Sequence, residues 1–596
     1  MPASFAIVHH ANQYLITEGY DNREGIAAIA GRPGETTGFR HILRLHEKLE
    51  IPFNLHISGT LLEALAWHDP AFLKELRCLV KLGLIDLVGS CYGQNIMRFF
   101  GPEYNRKQLN EELLLYRLHL GVDPAQVKAF WPPERVWDTR HMAPALRDGR
   151  LLNGGYSYVI LDDRLLLDPA DPLHPRRRYD ENPEWNAELF LMHEIEDGLG
   201  LIAFPIATRL RRSIPPRQDD DWHQVRTDLE GLLVQGVAEG AESFLALYAD
   251  DMEKVSGIGE WGGGGPGRYE KFLSWLAENR QWITPVKLNA WAETTEVSST
   301  RRIKRGTFQE LAVDFEAGEG YERWYLAPDW APYRGYFNFA EAKVKEAVVQ
   351  GGDEALLQLA EKQLLVANWE TAWHTPASGP HGDSEVHGHA SPWARALTSH
   401  SRHAAVTARA AVWFSQPPQP ASAILDDVDG DGDMEVVLRT DKLFAVISPR
   451  FGGRVVSLCV PGAMVVGNPC DDWNWQEDLN RFMDVPRNHP GAFADVGWEH
   501  EVYTPELEVA EGALAQIRLR GASGIVKTYS AAAGASVLSV VYEIPASVES
   551  INVEFGLSPD YLHLLRQGSD ALECFTEADR RGCRSNRAAV WVRPQP

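Results

Sequence analysis

The first 290 residues alternate short apolar runs with longer amphipathic ones. "SFAIVHH", "PFNLHIS", "LIDLVGS", "VKAFWPP", "YSYVILDD", "GLIAFPIA" and "SFLALYADD" have the length and β-branched or aromatic content of strands. Between them, stretches such as "GFRHILRLHEKLE" and "AFLKELRCLVKLG" repeat their apolar residues at helical spacing. Strand and helix in alternation predict a parallel sheet with helices outside it. Seven such units predict an α/β barrel related to the (β/α)8 type over residues 1–290, with a doubly wound open sheet as the alternative. Residues 291–414 read as mostly helical, through "ALLQLAEKQLLVANWETAWH" and "ASPWARALTSHSRHAAVTARAAVWF". "SQPPQPAS", at 415–422, is a proline-rich boundary. From 423 to 596 short strand-like runs alternate with glycine turns, which predicts a C-terminal β-sandwich.

The polar residues fall where this pattern gives them meaning. Each strand-like run ends in groups suited to chemistry: His9 and His10, His56, Asp86, Glu134, Asp162 and Asp163, Asp250 and Asp251. In a barrel the working face is the one at the C-terminal ends of the strands. Glu134 sits in "FWPPERVW" and Asp251 in "LALYADDMEK", both in aromatic surroundings. A pair of carboxyl groups flanking one bond is what glycoside hydrolysis requires, one of them keeping its proton near neutral pH. The alternative is that Glu134 only pairs with Arg135 or Arg140.

Charge narrows the partners. A formal net charge of −25 lacks the positive footprint that nucleic acid or an anionic membrane would need. No apolar stretch is long enough for a membrane span. Six cysteines without a C-x-x-C pair do not suggest a disulfide framework, and a cytoplasmic protein is expected. The aromatic residues, 19 of them Trp, include candidates for stacking on sugar rings. The glycine-rich stretch around Trp261 lacks the order of a phosphate-binding P-loop.

"DDVDGDGDMEVV" is a separate motif. Asp427, Asp429, Asp431, Asp433 and Glu435 alternate through a glycine-containing loop, and calcium takes several such oxygens. Leu438 stands where an EF-hand would have its twelfth-position Glu. The pattern resembles the calcium loop D-x-D-G-D-G-x-x-E of FG-GAP-type repeats, so a structural Ca2+ is expected on these five residues. No cofactor is expected for catalysis.

The motifs together resemble glycoside hydrolase family 57. "WPPERVW" resembles that family's third conserved region, which implies that Glu134 is the nucleophile. "ADDMEK" resembles the fourth, which implies that Asp251 is the acid/base, although Ala249 stands where a His is usual. "GLIDLVGSCYG" is similar to the second, with Asp86 in place of Glu. "NWETAWH" is similar to the fifth, with Trp373 and His374, and "VHHANQ" to the first.

The resemblance implies a retaining α-glycosidase or α-glucan transferase of the 4-α-glucanotransferase or α-amylase type. It also implies an incomplete (β/α)7 barrel over residues 1–290, a helical segment over 291–414 completing the cleft, and an α-glucan or oligosaccharide as substrate. Trp131, Trp137, Trp261 and Trp373 are then candidates for stacking, and His9, His10, His56, Asp86, Asp250 and His374 for contacts with sugar hydroxyls. Two other classes fit the same strand-end residues. One is a metal-dependent deacetylase or mannosidase using His9, His10 and Asp86, and the other is a non-catalytic glucan-binding protein.

Overall fold

The structure is a computed structural model. It describes residues 3–12, 23–166, 187–215, 244–258, 265–308, 331–368, 392–467, 491–499, 501–557 and 571–594, with a few shorter pieces between them. Trp261, Trp373, His374 and the histidine-containing loop that follows lie outside the described residues. The chain divides into two compact units, one centred on Arg23–Ala327 and the other on Pro328–Asn368 and Thr375–Pro596.

In the first unit the seven apolar runs are strands: β1 (Ala3–Ala11), β2 (Phe53–Ile57), β3 (Ile85–Leu87), β4 (Ala129–Phe130), β5 (Tyr158–Asp162), β7 (Ile202–Ile206) and β8 (Leu245–Asp251). Three more are too short or too polar to stand out in the sequence: β6 (His193–Ile195), β9 (Ile283–Val286) and β10 (Ser299–Arg301). One sheet runs β3-β2-β1-β8, with β9 also on β1, and a second runs β10-β6-β7-β5-β4. All pairs are parallel except β6 with β7.

Backbone bonds join the two sheets at both margins. Gly89 N–H donates to Ala129 O at 2.9 Å and Trp131 N–H to Gly89 O at 2.8 Å, beside β3 and β4. Ala207 N–H donates to Leu247 O at 2.9 Å, beside β7 and β8.

Side chains alternate across a strand, and that alternation divides the strand-end residues. One face is a core of Ala6, Val8, Val88, Ala129, Trp131, Tyr158, Ile160, Phe204, Ile206, Leu247 and Ala249. His10 continues the parity of Ala6 and Val8, and Asp251 that of Leu247 and Ala249. The register sets His10 opposite both His56 and Asp251. These three therefore stand level at the C-terminal rim.

Helices cover the other face. Ser58 caps Gly59–His68 by accepting from Leu61 N–H at 3.3 Å, and Asp69 caps Pro70–Lys81 by accepting from Phe72 N–H at 3.0 Å. Buried Tyr116 ties two strand ends together, its hydroxyl lying 2.8 Å from Val88 O and 3.1 Å from Ile57 O.

The second unit holds the helices Ala331–Val349, Glu354–Val366 and Pro392–Ser415, followed by strands. These are β11 (Ala421–Asp426), β12 (Glu435–Arg439), β13 (Phe444–Ser448), β14 (Arg454–Val460), β15 (Ala463–Val466), β16 (Ala492–Asp495), β17 (Tyr503–Val509), β18 (Glu511–Gly512), β19 (Leu514–Gly521), β20 (Val526–Ala532), β21 (Leu538–Glu543) and β22 (Val553–Phe555). An antiparallel sheet runs β18-β11-β12-β13-β14-β16-β22, and a second runs β17-β19-β20-β21.

β12 to β14 are apolar on both faces. Val437, Val446 and Val456 pack with Leu356, Leu359, Val406 and Ala410 of the helices. Val436, Leu438, Ala445, Ile447 and Val455 pack with Ile517, Leu519 and Tyr529 of the second sheet. The helices expected as a separate domain over 291–414 thus share a core with the C-terminal strands. Near the start of that span, β10 (Ser299–Arg301) instead joins the first unit's second sheet, just as β9 before it joins the first. Among the described residues no helix is long and apolar enough to cross a membrane.

Tyr116→Phe removes a buried hydroxyl that bridges the ends of β2 and β3 and keeps the ring. It is expected to destabilise the first unit by about 1–3 kcal/mol. The check is a lower denaturation midpoint with an unchanged denaturant slope.

Candidate active site

Glu134 comes from a turn that its own residues disfavour. Pro132 and Pro133 end β4, and Glu134 (φ 50°, ψ 24°) and Arg135 (φ 48°) follow in the left-handed region. Two consecutive non-glycine residues there cost on the order of 1–3 kcal/mol each, and such a turn persists only where its surroundings hold it.

The surroundings come from Gly306–Phe308. The hydroxyl of buried Thr307 donates to Glu134 O at 2.6 Å, and Thr307 O accepts from Arg164 at 2.7 Å. Gly306 and Trp137 exchange backbone bonds at 2.8 and 3.1 Å. The Arg135 guanidinium lies 4.0 Å from the centre of the Phe308 ring and 3.2 Å from Asp162. An ion pair this well buried is costly to break.

Asp251 ends β8 and is solvent-exposed, yet desolvation is the largest influence on its carboxyl, followed by the charge of Asp250; both raise its pKa. A group open to water but crowded by protein on most sides sits in a concavity. Asp250, its neighbour, takes the opposite state. It is buried, accepts from Arg211 at 2.8 and 3.0 Å and pairs with Lys254. Burial pushes Asp250 up, but the two cations outweigh it and hold it at about 2.

Glu134 is half-buried. Burial, reinforced by the charge of Asp251, pushes it up to about 7 against the pull of Arg135 and Arg211. The Glu134 and Asp251 carboxyls, 117 positions apart in the chain, thus lie within each other's electrostatic reach. Two further carboxyls are raised. Asp163 reaches about 7 through burial and Asp162, although Thr208 donates to it at 2.8 Å. Glu253 is raised by burial and by Asp251.

His10 and His56 form a relay at the same rim. Their Nδ1 atoms are 2.8 Å apart, and His56 Nε2 is 2.9 Å from Glu112 of the helix Pro102–Leu115. Burial pushes both rings well down and Glu112 well up. With both rings neutral, one Nδ1 donates and the other accepts, so the proton on Glu112 decides which His10 nitrogen can donate.

Several expected site residues stand elsewhere. His9 alternates to the helix side, where its Nε2 is 2.9 Å from the Tyr269 hydroxyl, which also meets His46 at 2.9 Å. Asp86 is level with Asn54, and Asn54 with Val8, two positions before His10. It pairs with Lys287 at 2.8 Å, because β3 continues as Leu87-Val88-Gly89 before reaching the rim. Trp131 is buried and stacks on His10 at 5.0 Å, and Trp137 is fully buried. Asp250 is occupied by Arg211 and Lys254. Among the described residues, His9, His10 and Asp86 form no metal-holding group.

The residues that sequence reasoning missed are Glu112, Thr307, Asp162 as the partner of Arg135, and Arg211. Asp162 stands at a strand end and Arg135 beside Glu134 in the sequence, but no local pattern marks Glu112, Thr307 or Arg211.

Comparison with known proteins adds three findings. Residues 11–303 match the family described as Glycosyl hydrolase family 57. The chain is 26% identical over 507 residues to a 4-alpha-glucanotransferase of Thermococcus litoralis, covering 78% of this chain and 64% of the relative. It is 26% identical over 460 residues to an alpha-amylase of Pyrococcus furiosus, covering 71% of this chain and 61% of the relative. The chain thus spans less than two thirds of the length of these relatives. Among solved structures, a family 57 branching enzyme of Thermococcus kodakaraensis shares the fold at a TM-score of 0.53 and 14% identity, over 70% of this chain and 92% of that one.

The raised Glu134 makes stability depend on pH. Its ordinary value is 4.5 and its folded value about 7. Below pH 4.5 both states carry the proton, and between the two values the unfolded chain releases it first, so folding stability falls as pH rises through this window. Glu134→Gln cannot ionise. It is expected to exceed the wild type in stability by about 1–3 kcal/mol at pH 8 and to lose that lead by pH 4.5. Thermal unfolding at the two pH values checks this, and equal midpoints at pH 8 would count against it.

Proposed function

Because residues 11–303 match glycosyl hydrolase family 57, we propose that the protein is a retaining α-glycosidase or α-glucan transferase. Its substrates are α-glucans or maltooligosaccharides, and it acts by double displacement. The observation that carries this reading is that Glu134 and Asp251 lie within electrostatic reach of each other, each with a raised pKa. The seven parallel strands bonded to one another around the first unit fit an incomplete (β/α)7 barrel. The two sheets sharing a core in the second unit fit a β-sandwich.

The neighbours support distinct roles for the two carboxyls. Asp250, ionised at about 2, sets a fixed negative charge beside Asp251 and favours the protonated form there. With Asp251 neutral, its repulsion of Glu134 disappears, and Arg135 and Arg211 favour the Glu134 carboxylate. Glu134 is then the nucleophile that attacks the anomeric carbon. Asp251 is the acid that gives its proton to the leaving oxygen. Asp251, now a base, next takes a proton from water for hydrolysis or from a sugar hydroxyl for transfer. A retaining pair works at a separation of roughly 5–5.5 Å. His10 remains the proposed contact for a sugar hydroxyl, whereas His56, fully buried with both ring nitrogens taken by His10 and Glu112, orients His10 instead. Trp261, Trp373 and His374 keep their proposed substrate contacts on the strength of the sequence resemblance.

Incubation with a maltooligosaccharide of single length, with products resolved by size, tests the activity. Longer products report transfer, and shorter ones alone report hydrolysis. Glu134→Gln and Asp251→Asn are each expected to lower turnover by about 10³-fold or more with unchanged circular dichroism. Near-full activity in either variant would sink the reading. Thr307→Val frees the Glu134 turn without touching substrate. Its expected signature is a kcat lowered by about 10-fold at unchanged KM, since a misplaced nucleophile loses near-attack geometry.

A further inference from the structure

The loop between β11 and β12 carries five carboxylates, and the fold sorts them into two groups. Asp433 accepts from Arg450 at 2.7 Å, and Asp431 from Arg402 at 3.2 Å. The other three, Asp427, Asp429 and Glu435, converge, with one oxygen of each within 4.8 Å of the others. Asp429 is fully buried, and its Oδ2 accepts no hydrogen bond. The nearest cation to it is Arg402 Nη1, at 3.8 Å.

Backbone N–H groups orient the triad. Gly430 and Gly432 donate to the two oxygens of Asp427 at 2.8 and 3.2 Å, Asp431 donates to Asp429 at 3.2 Å, and Val428 donates to Glu435 at 3.2 Å. Gly430 has φ +84°, and a Cβ there would lie 2.8 Å from the Phe339 ring, so the turn admits no side chain at that position.

We infer that Asp427, Asp429 and Glu435 bind one calcium ion, with Asp431 and Asp433 held back from it by Arg402 and Arg450. Oxygens that each sit about 2.3–2.6 Å from a calcium ion stand up to about 5 Å apart, and the triad has that span. Three carboxylates packed around a buried oxygen that accepts no hydrogen bond, with one cation at 3.8 Å, call for a hard divalent cation, and the strands that leave the loop anchor it on both sides. The ion neutralises the end of the β11–β12 hairpin beside the helix that carries Arg402, and its role is structural. This site is independent of the catalytic reading of the first unit.

The test uses the full chain, stripped with EGTA and titrated calorimetrically with CaCl2 and with MgCl2, with thermal unfolding followed in parallel. The expected result is one Ca2+ bound per chain, Mg2+ bound at least about 10-fold more weakly, and a thermal midpoint raised by about 5–10 °C at saturation. Asp429→Asn and Glu435→Gln are each expected to weaken Ca2+ binding by about 100-fold or more. Asp433→Asn, whose partner is Arg450, is expected to stay within a few-fold of the wild type. The inference is overturned if the wild type shows neither heat nor a midpoint shift up to about 10 mM Ca2+. It is also overturned if Mg2+ binds as well as Ca2+, or if Asp433→Asn loses as much as Asp429→Asn. The wild-type titration decides the matter even if a triad variant does not fold.

Discussion

Excess negative charge held inside a fold is the constraint on which the remaining features depend. In the first unit Arg135, Arg211 and Lys254 neutralise Asp162 and Asp250. Glu134, Asp163, Asp251 and Glu253 remain, and all four are raised. A carboxyl whose desolvation outweighs the positive charge near it must take up a proton or gain a closer cation. At the strand-end rim the imbalance is met by protons, and protons there can be moved. In the loop of the second unit Arg402 and Arg450 pair with Asp431 and Asp433, and the other three carboxylates converge. One physical rule thus underlies the proposed catalytic site in one unit and the proposed calcium site in the other.

The reactive arrangement rests on register and on one unfavourable turn. Parallel pairing sets His10, His56 and Asp251 at one level, a position that no local feature of the three strands imposes. Glu134 reaches the rim through a left-handed backbone that Thr307, Gly306 and Phe308 hold from more than 160 positions away. The strain is tolerated because the restraints are several and buried. Such rigidity gives a reacting carboxylate a defined place.

Alternation along the strands explains which strand-end residues work together. Of each adjacent pair, His9 and His10 or Asp250 and Asp251, one faces the rim and the other the helix layer or its cations. The outward members still act on the site. Asp250 supplies a fixed charge beside Asp251, while His9 anchors Tyr269 and the helix Gly265–Glu278. Asp86 shows the limit of reading strand ends from apolar runs. Its strand extends three residues further through Leu87, Val88 and Gly89, which leaves the carboxyl low on the sheet with Lys287.

The sequence by itself determined the seven main strands, the helices between them, the position of Glu134 and Asp251 at strand ends, and the acidic glycine loop. All of these arise from side-chain period, turn residues and local charge, which act over a few positions. Tertiary structure alone decided that Glu134 and Asp251 lie within electrostatic reach of each other, that His10 faces the rim while His9 does not, and that only three of five loop carboxylates converge. It also decided that Glu112, Thr307 and Arg211 belong to the site, and that the helices after residue 330 share a core with the C-terminal strands. Each of these depends on strand register, on burial, or on a partner more than a hundred positions or a whole element away. A short window of sequence carries no record of such distances.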